Sequence, residues 1–123
     1  MNFGQLKAIA EDTLQNTLRR APPAMRKIAH DVPVLYYPVP TPDMISDGIE
    51  EDLLGLFDGY DPADIEAAPD PSPPVILLFL QNIWDYAEHS PDRFREEVSI
   101  TFLHELGHRL GLTETDLIDR DLD

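Results

Sequence analysis

Proline is the residue that most limits how this chain can fold. The sequence has 12 prolines in 123 residues, and eight of them lie between Pro38 and Pro74. Each proline lacks the N–H group that a helix interior or a central strand requires, and its ring fixes φ. We therefore expect this third of the chain to consist mostly of loops and turns, with the longer regular elements on either side of it.

Apolar patterning predicts helices and strands around the proline-rich region. Asn2 can cap a first helix, which Ala21-Pro22-Pro23 ends. Val32–Val39 is predicted to be a strand, and so is Val75–Leu80, whose unbroken apolar run indicates a strand covered on both faces. The remaining predicted elements are a short helix over Pro23–Ala29, a strand within Leu53–Tyr60, and single helical turns within Asp61–Ala68 and Gln81–Glu88.

The strongest helix start in the sequence is Ser90-Pro91-Asp92. It places a capping hydroxyl, a proline at the first helical position and an acid in the first turn. The helix is predicted to end between Gly107 and Gly111. Its candidate buried stripe consists of Phe94, Val98, Thr101, Phe102 and Leu106. The order helix, strand, acidic loop, strand and long helix predicts one α+β domain over residues 1–123.

The charge balance excludes several classes of function. Nine Lys and Arg face 24 Asp and Glu, which gives a net charge of −15, and no basic residue lies between Ile28 and Asp92. A nucleic-acid or anionic-membrane partner requires a basic surface, so neither is expected. The acidic stretch is read as a solvated surface or, alternatively, as a face that attracts a cationic partner.

Cysteine content and hydropathy exclude further classes of protein. The chain has no cysteine, which excludes disulfides, thiolate-ligated zinc and thiol catalysis. Its longest apolar run, Val75–Leu80, is far shorter than the roughly 20 residues of a membrane helix. No secretory signal is evident at the N-terminus, and the sequence predicts a cytoplasmic protein.

One motif within the predicted long helix carries chemistry, namely His104-Glu105-Leu106-Gly107-His108. Two histidines four residues apart lie on one helix face, where their ring nitrogens can bind one Zn²⁺ at about 2.0–2.1 Å. In H-E-x-x-H sites the glutamate, here Glu105, acts as general base toward a water that the metal activates. The alternative is an ordinary helix on which the two histidines are solvated or hydrogen-bonded.

Glu114 is the predicted third zinc ligand. The sequence continues the motif as H-E-x-x-H-x-x-G-x-x-E, and Gly111 allows the backbone to turn sharply after the second histidine. Glu114 then takes the place of the third histidine of longer H-E-x-x-H-x-x-G-x-x-H sites, and a carboxylate is a suitable zinc ligand. Asp116 is the alternative for this role.

Several segments together resemble a family of short bacterial zincin-like proteins, the minimal zincins. They are Val98–Leu112 with Thr113–Leu117 behind it, Leu53–Gly59, Ala21–Pro23 and Val32–Val34. The resemblance covers nearly the whole chain. It implies a minimal zincin-like α+β fold, in which a short mixed sheet packs on a few helices that include the H-E-x-x-H helix. It also implies a metallopeptidase with a zinc cofactor, the ligands His104, His108 and Glu114, and Glu105 as base.

A peptidase also needs substrate contacts and a donor to the oxyanion. The substrate would be a peptide or protein, with basic sequences among the candidates. Val75–Leu80 is a candidate edge for pairing with an extended peptide, or else the core of the sheet. The candidate oxyanion donors are Tyr36, Tyr37, Tyr60, Tyr86 and His89, and the sequence does not choose among them.

Two other functions compete with the zinc-dependent metallopeptidase. The first is a non-catalytic zincin-fold domain that binds metal or a protein partner. The second is an acidic interaction protein that mimics nucleic acid and occupies a basic partner. Exchange of Glu105 for Gln separates the first from an enzyme, and salt-sensitive capture of a basic protein that resists chelator would favour the second.

Overall fold

The computed structural model describes residues 1–58 and 74–109, without the side chains of residues 108 and 109. This part of the chain forms eight elements. They are α1 (Phe3–Arg20), α2 (Pro23–His30), β1 (Val34–Tyr37), α3 (Pro42–Ser46), β2 (Gly55–Asp58), β3 (Val75–Phe79), α4 (Leu80–Tyr86) and α5 (Pro91–Arg109). The fold is α+β, as predicted. The helical turn predicted within Asp61–Ala68 lies outside the described residues.

Local capping explains where the helices begin. Asn2 accepts a hydrogen bond from the Gln5 amide at 2.8 Å, and its own amide donates to the Gln5 side chain at 3.0 Å. This reciprocal pair is a capping box. Ser90 accepts from the Arg93 amide at 3.3 Å, which confirms the predicted start of α5. α3 was not predicted, although Thr41 caps it in the same way, at 3.2 Å from the Met44 amide.

The three described strands form a mixed sheet in the order β1-β3-β2. β1 runs parallel to β3, and β2 runs antiparallel to it. The expectation that Val75–Leu80 could offer a free edge was wrong, because β3 is the central strand and both of its edges are paired. The expectation of two covered faces is confirmed, since Ile76 to Phe79 are all buried.

One face of the sheet forms the core with the helices. Ile76 and Leu78 of β3 are fully buried there, and Val34, Tyr36 and Phe57 pack beside them. α5 crosses β2 and β3, and α4 contacts β1. α5 therefore packs directly on β2, and this contact places the strand against the helix. No helix in residues 1–58 or 74–109 is both long and apolar enough to cross a membrane.

Candidate metal centre

Most residues of α5 between positions 101 and 107 are buried. Thr101, Phe102 and Leu103 are buried, and so are Leu106 and Gly107. His104 and Glu105 are the two residues between 101 and 107 that keep partial exposure. This partial exposure of an imidazole and a carboxylate suits side chains that contact a ligand.

The helix also places the second histidine of the motif. α5 continues to Arg109 without interruption, so the backbone of His108 follows His104 by four residues, about one turn. Imidazoles at this spacing fit the donor preference of zinc. The His108 side chain, Glu114 and the alternative Asp116 lie outside the described residues. Within the described part, no three potential metal-ligating side chains come together, so the complete ligand set remains a prediction.

Strand β2 begins directly on the helix face that carries the motif. A Cβ atom at Gly55 would lie 2.5 Å from Cγ2 of Thr101 and 3.3 Å from the carbonyl oxygen of Leu77. Thr101 precedes His104, Glu105 and His108 by three, four and seven residues, so these residues share one stripe of α5. The start of β2 therefore lies about one helical turn before the motif.

The tyrosines proposed as oxyanion donors make other contacts. Tyr36 of β1 lies near α1, with Lys7 Nζ 5.9 Å from its ring centroid. Burial, with a smaller contribution from the charge of Glu11, raises the pKa of Tyr36 to about 12. Tyr37 packs against Phe79, and Tyr86 is 62% exposed. These contacts do not single out an oxyanion donor.

His89, another candidate donor, is held at the turn between α4 and α5. Its ring stacks on Trp84 with 5.3 Å between centroids, and Nε2 donates to Asp85 Oδ1 at 2.9 Å. This hydrogen bond holds the pKa of the Asp85 carboxyl below its usual value. The last candidate, Tyr60, lies outside the described residues, and the oxyanion donor stays unassigned.

Comparison with known families adds to this geometry. A family model of zincin-like metallopeptidases matches residues 29–122, which is more than half of the chain. The chain belongs to the zincin-like metallopeptidase family. A comparison with curated protein sequences gave no match. The three-stranded mixed sheet packed on the H-E-x-x-H helix is consistent with the minimal zincin-like fold that the sequence predicted. Zincin-like metallopeptidases generally bind zinc.

The contact between Gly55 and Thr101 is a feature of the site that sequence reasoning missed. A glycine inside a strand can mark a close approach of another backbone or side chain, and that signal was available in Leu54-Gly55-Leu56. The sequence does not show which element approaches the glycine. Only the packing of β2 on α5 identifies Thr101 as the neighbour.

Proposed function

We propose that this member of the zincin-like family is a zinc-dependent metallopeptidase in which Glu105 is the general base. The observation that carries the proposal is the exposure pattern of α5. Between residues 101 and 107, where the other residues are buried, His104 and Glu105 are partly exposed. An enzyme of this class needs that combination of a rigid support and an accessible reacting group.

The proposed ligands are His104, His108 and Glu114, with Asp116 as the alternative to Glu114. When bound there, zinc would supply a Lewis acid that polarises the scissile carbonyl and lowers the pKa of a water molecule toward about 7. The Glu105 carboxylate would accept the proton of the attacking water and deliver it to the nitrogen of the leaving amine. α5 would fix the separation of ligand and base, because His104 and Glu105 are adjacent on one helix.

The proposed substrate is an extended peptide that adds to the outer edge of β2. Among the described strands β2 pairs only with β3, so its other edge is the candidate for main-chain hydrogen bonds with a peptide. The other edge strand, β1, contacts α4, whereas β2 contacts α5 and begins beside Thr101. Of the two edges, β2 is thus the one that lies on the motif helix.

Charge favours basic peptides as the substrate class. The segment that leads into and forms β2 carries only acidic charges, which are Asp43, Asp47, Glu50, Glu51, Asp52 and Asp58. A surface of one sign raises the local concentration of oppositely charged ligands and speeds their association. We therefore expect peptides with Lys or Arg to be cleaved faster than acidic ones, and this preference to weaken at high salt.

The decisive variant for the proposed function is Glu105→Gln. It removes the base and keeps the size of the side chain, so turnover of a basic peptide library by the zinc-loaded chain should fall about 10²- to 10⁴-fold. Bound zinc should not change. Glu96→Gln, an exposed exchange on the same helix, is the matched control and should cleave like the wild type. Equal cleavage by the Glu105→Gln and wild-type proteins would refute the assignment of the base.

A further inference from the structure

Residue 55 is restricted to glycine because there is no room for a side chain, and not because of its backbone conformation. Among the described glycines, Gly48 has a positive φ, of 101°, and nothing within 4 Å of a Cβ placed on it. Gly55 has no such φ, and it is buried. Any L-residue could adopt its backbone angles, and what excludes a side chain is the contact with its neighbours.

The neighbours of Gly55 cannot move aside easily. A Cβ there would lie 2.5 Å from Thr101 Cγ2, on a buried β-branched side chain that is confined to two χ1 rotamers inside a helix. The next atom, the carbonyl oxygen of Leu77 at 3.3 Å, belongs to the backbone of the central strand. A methyl group at residue 55 would therefore be accommodated by displacement of β2 away from α5.

The residues that lead into β2 are held by hydrogen bonds to α4 and β3. Asn82 of α4 donates from Nδ2 to the carbonyl oxygens of Glu51 at 2.8 Å and Leu53 at 2.9 Å, and the Phe79 amide donates to Leu54 at 2.9 Å. These bonds hold the strand entry to α4 and β3. A side chain at residue 55 would thus tilt the strand about a fixed entry, which changes its distance from the motif.

We infer that Gly55 is a positioning residue, which sets the distance between the edge strand β2 and the motif stripe of α5. This inference rests on the proposed function for its consequence, which concerns the substrate. The proposed zinc ligands His104 and His108 belong to α5 itself, so displacement of β2 should leave them in place. Displacement of β2 would shift a peptide that is paired with this strand, and the peptide would then be misaligned relative to the reacting groups on α5. Misplacement by about 1 Å can cost roughly 100-fold in such an alignment.

The test uses the full chain and two zinc-binding probes. Acetohydroxamate contacts the metal alone, whereas an arginine-containing tripeptide hydroxamate also needs the edge strand. In Gly55→Ala the dissociation constant of the tripeptide hydroxamate should rise about 10- to 100-fold. The affinities for zinc and acetohydroxamate should stay within about twofold, and amide exchange of Leu56 and Phe57 should accelerate. The matched control is Gly4→Ala, where the nearest atom to the added methyl lies at 3.4 Å; it should behave like the wild type.

A second substitution makes the test specific. Thr101→Ser removes the Cγ2 methyl that the new side chain would meet and keeps the hydroxyl. The double variant Gly55→Ala/Thr101→Ser should therefore regain the affinity for the tripeptide hydroxamate, and amide exchange in β2 should return to the slow rate of the wild type. If Gly55→Ala alone does not fold, the test uses the double variant, which should fold and bind the tripeptide hydroxamate like the wild type. Failure of this rescue, or equal loss of both hydroxamates in Gly55→Ala, overturns the inference.

The outcomes also separate the inference from the proposed function. A wild-type chain that binds neither hydroxamate in the presence of zinc overturns the proposed function. Faster exchange of β2 in Gly55→Ala, reversed by Thr101→Ser, would then still support Gly55 as the residue that seats β2 on α5. Unchanged exchange and unchanged tripeptide affinity in Gly55→Ala would overturn the positioning role while the metal site stands.

Discussion

Individual side chains of α5 divide between those that hold the helix in the core and those that keep partial exposure. Phe94, Val98 and Leu106 are fully buried, and each contributes on the order of 1.5–3 kcal/mol through the burial of its apolar surface. His104 and Glu105 keep partial exposure between buried neighbours. The same helix therefore provides rigidity and an accessible polar pair, which the proposed chemistry requires.

Tyr36 gives a residue-level prediction about alkaline pH. Burial and the charge of Glu11 raise its pKa to about 12, above the value near 10 of an unfolded chain. Its contribution to stability is therefore complete below about pH 10 and is lost as the pH rises toward about 12. Tyr36→Phe should flatten the fall of the free energy of unfolding across that range, measured by urea titration at several pH values.

Tyr86→Phe is the matched control for this measurement, because Tyr86 is 62% exposed. It should leave the alkaline dependence of stability unchanged. An identical slope between about pH 10 and 12 in Tyr36→Phe and the wild type would contradict the role given to burial of this hydroxyl.

Among the elements, α5 depends on its start as well as on its packing. The first amides of a helix lack partners within it, and Ser90 satisfies the Arg93 amide from the cap. Ser90→Ala should lower the free energy of unfolding by about 1 kcal/mol, within a range of roughly 0.5–2, measured by urea unfolding. Ser46→Ala, at the exposed last residue of α3, is the control and should change it by less than about 0.5 kcal/mol. Equal effects of the two exchanges would contradict the capping role.

Elements whose signals are local could be predicted from the sequence. The starts of α1 and α5 follow from Asn2 and Ser90, and the proline flanks at Pro33 and Pro38 restrict β1 to four residues where eight were expected. α3 was missed because the proline density indicated loops, although Thr41-Pro42-Asp43 repeats the type of start seen at α5. The central place of β3 could not be predicted, since its pairing with β1 and β2 is set by tertiary structure.

The candidate site divides in the same way. The spacing of His104 and His108 on a helix depends on local periodicity, so the sequence predicts it directly. The seating of Gly55 on Thr101 joins residues 46 apart in sequence, and no local pattern specifies that contact. Glu114 lies outside the described residues and remains a prediction from the motif.

At the scale of the whole molecule, surface charge contributes little to the stability of the fold. The ion pairs Asp85–His89, Glu88–Arg93 and Asp92–Arg95 join exposed side chains, and such pairs are worth about 0–1 kcal/mol each. The fold therefore rests on the apolar core between the sheet and the helices. We therefore connect the net charge of −15 with the attraction of basic peptides and not with stability.

The central claim is that the motif of α5 holds a zinc ion in this chain, and native mass spectrometry of zinc-incubated protein tests it most directly. We expect one zinc in the wild type and in Glu105→Gln, and none in His104→Ala. His30→Ala, at the exposed end of α2, is the control and should keep the zinc. A wild type without zinc, or a His104→Ala variant that retains it, would contradict the account.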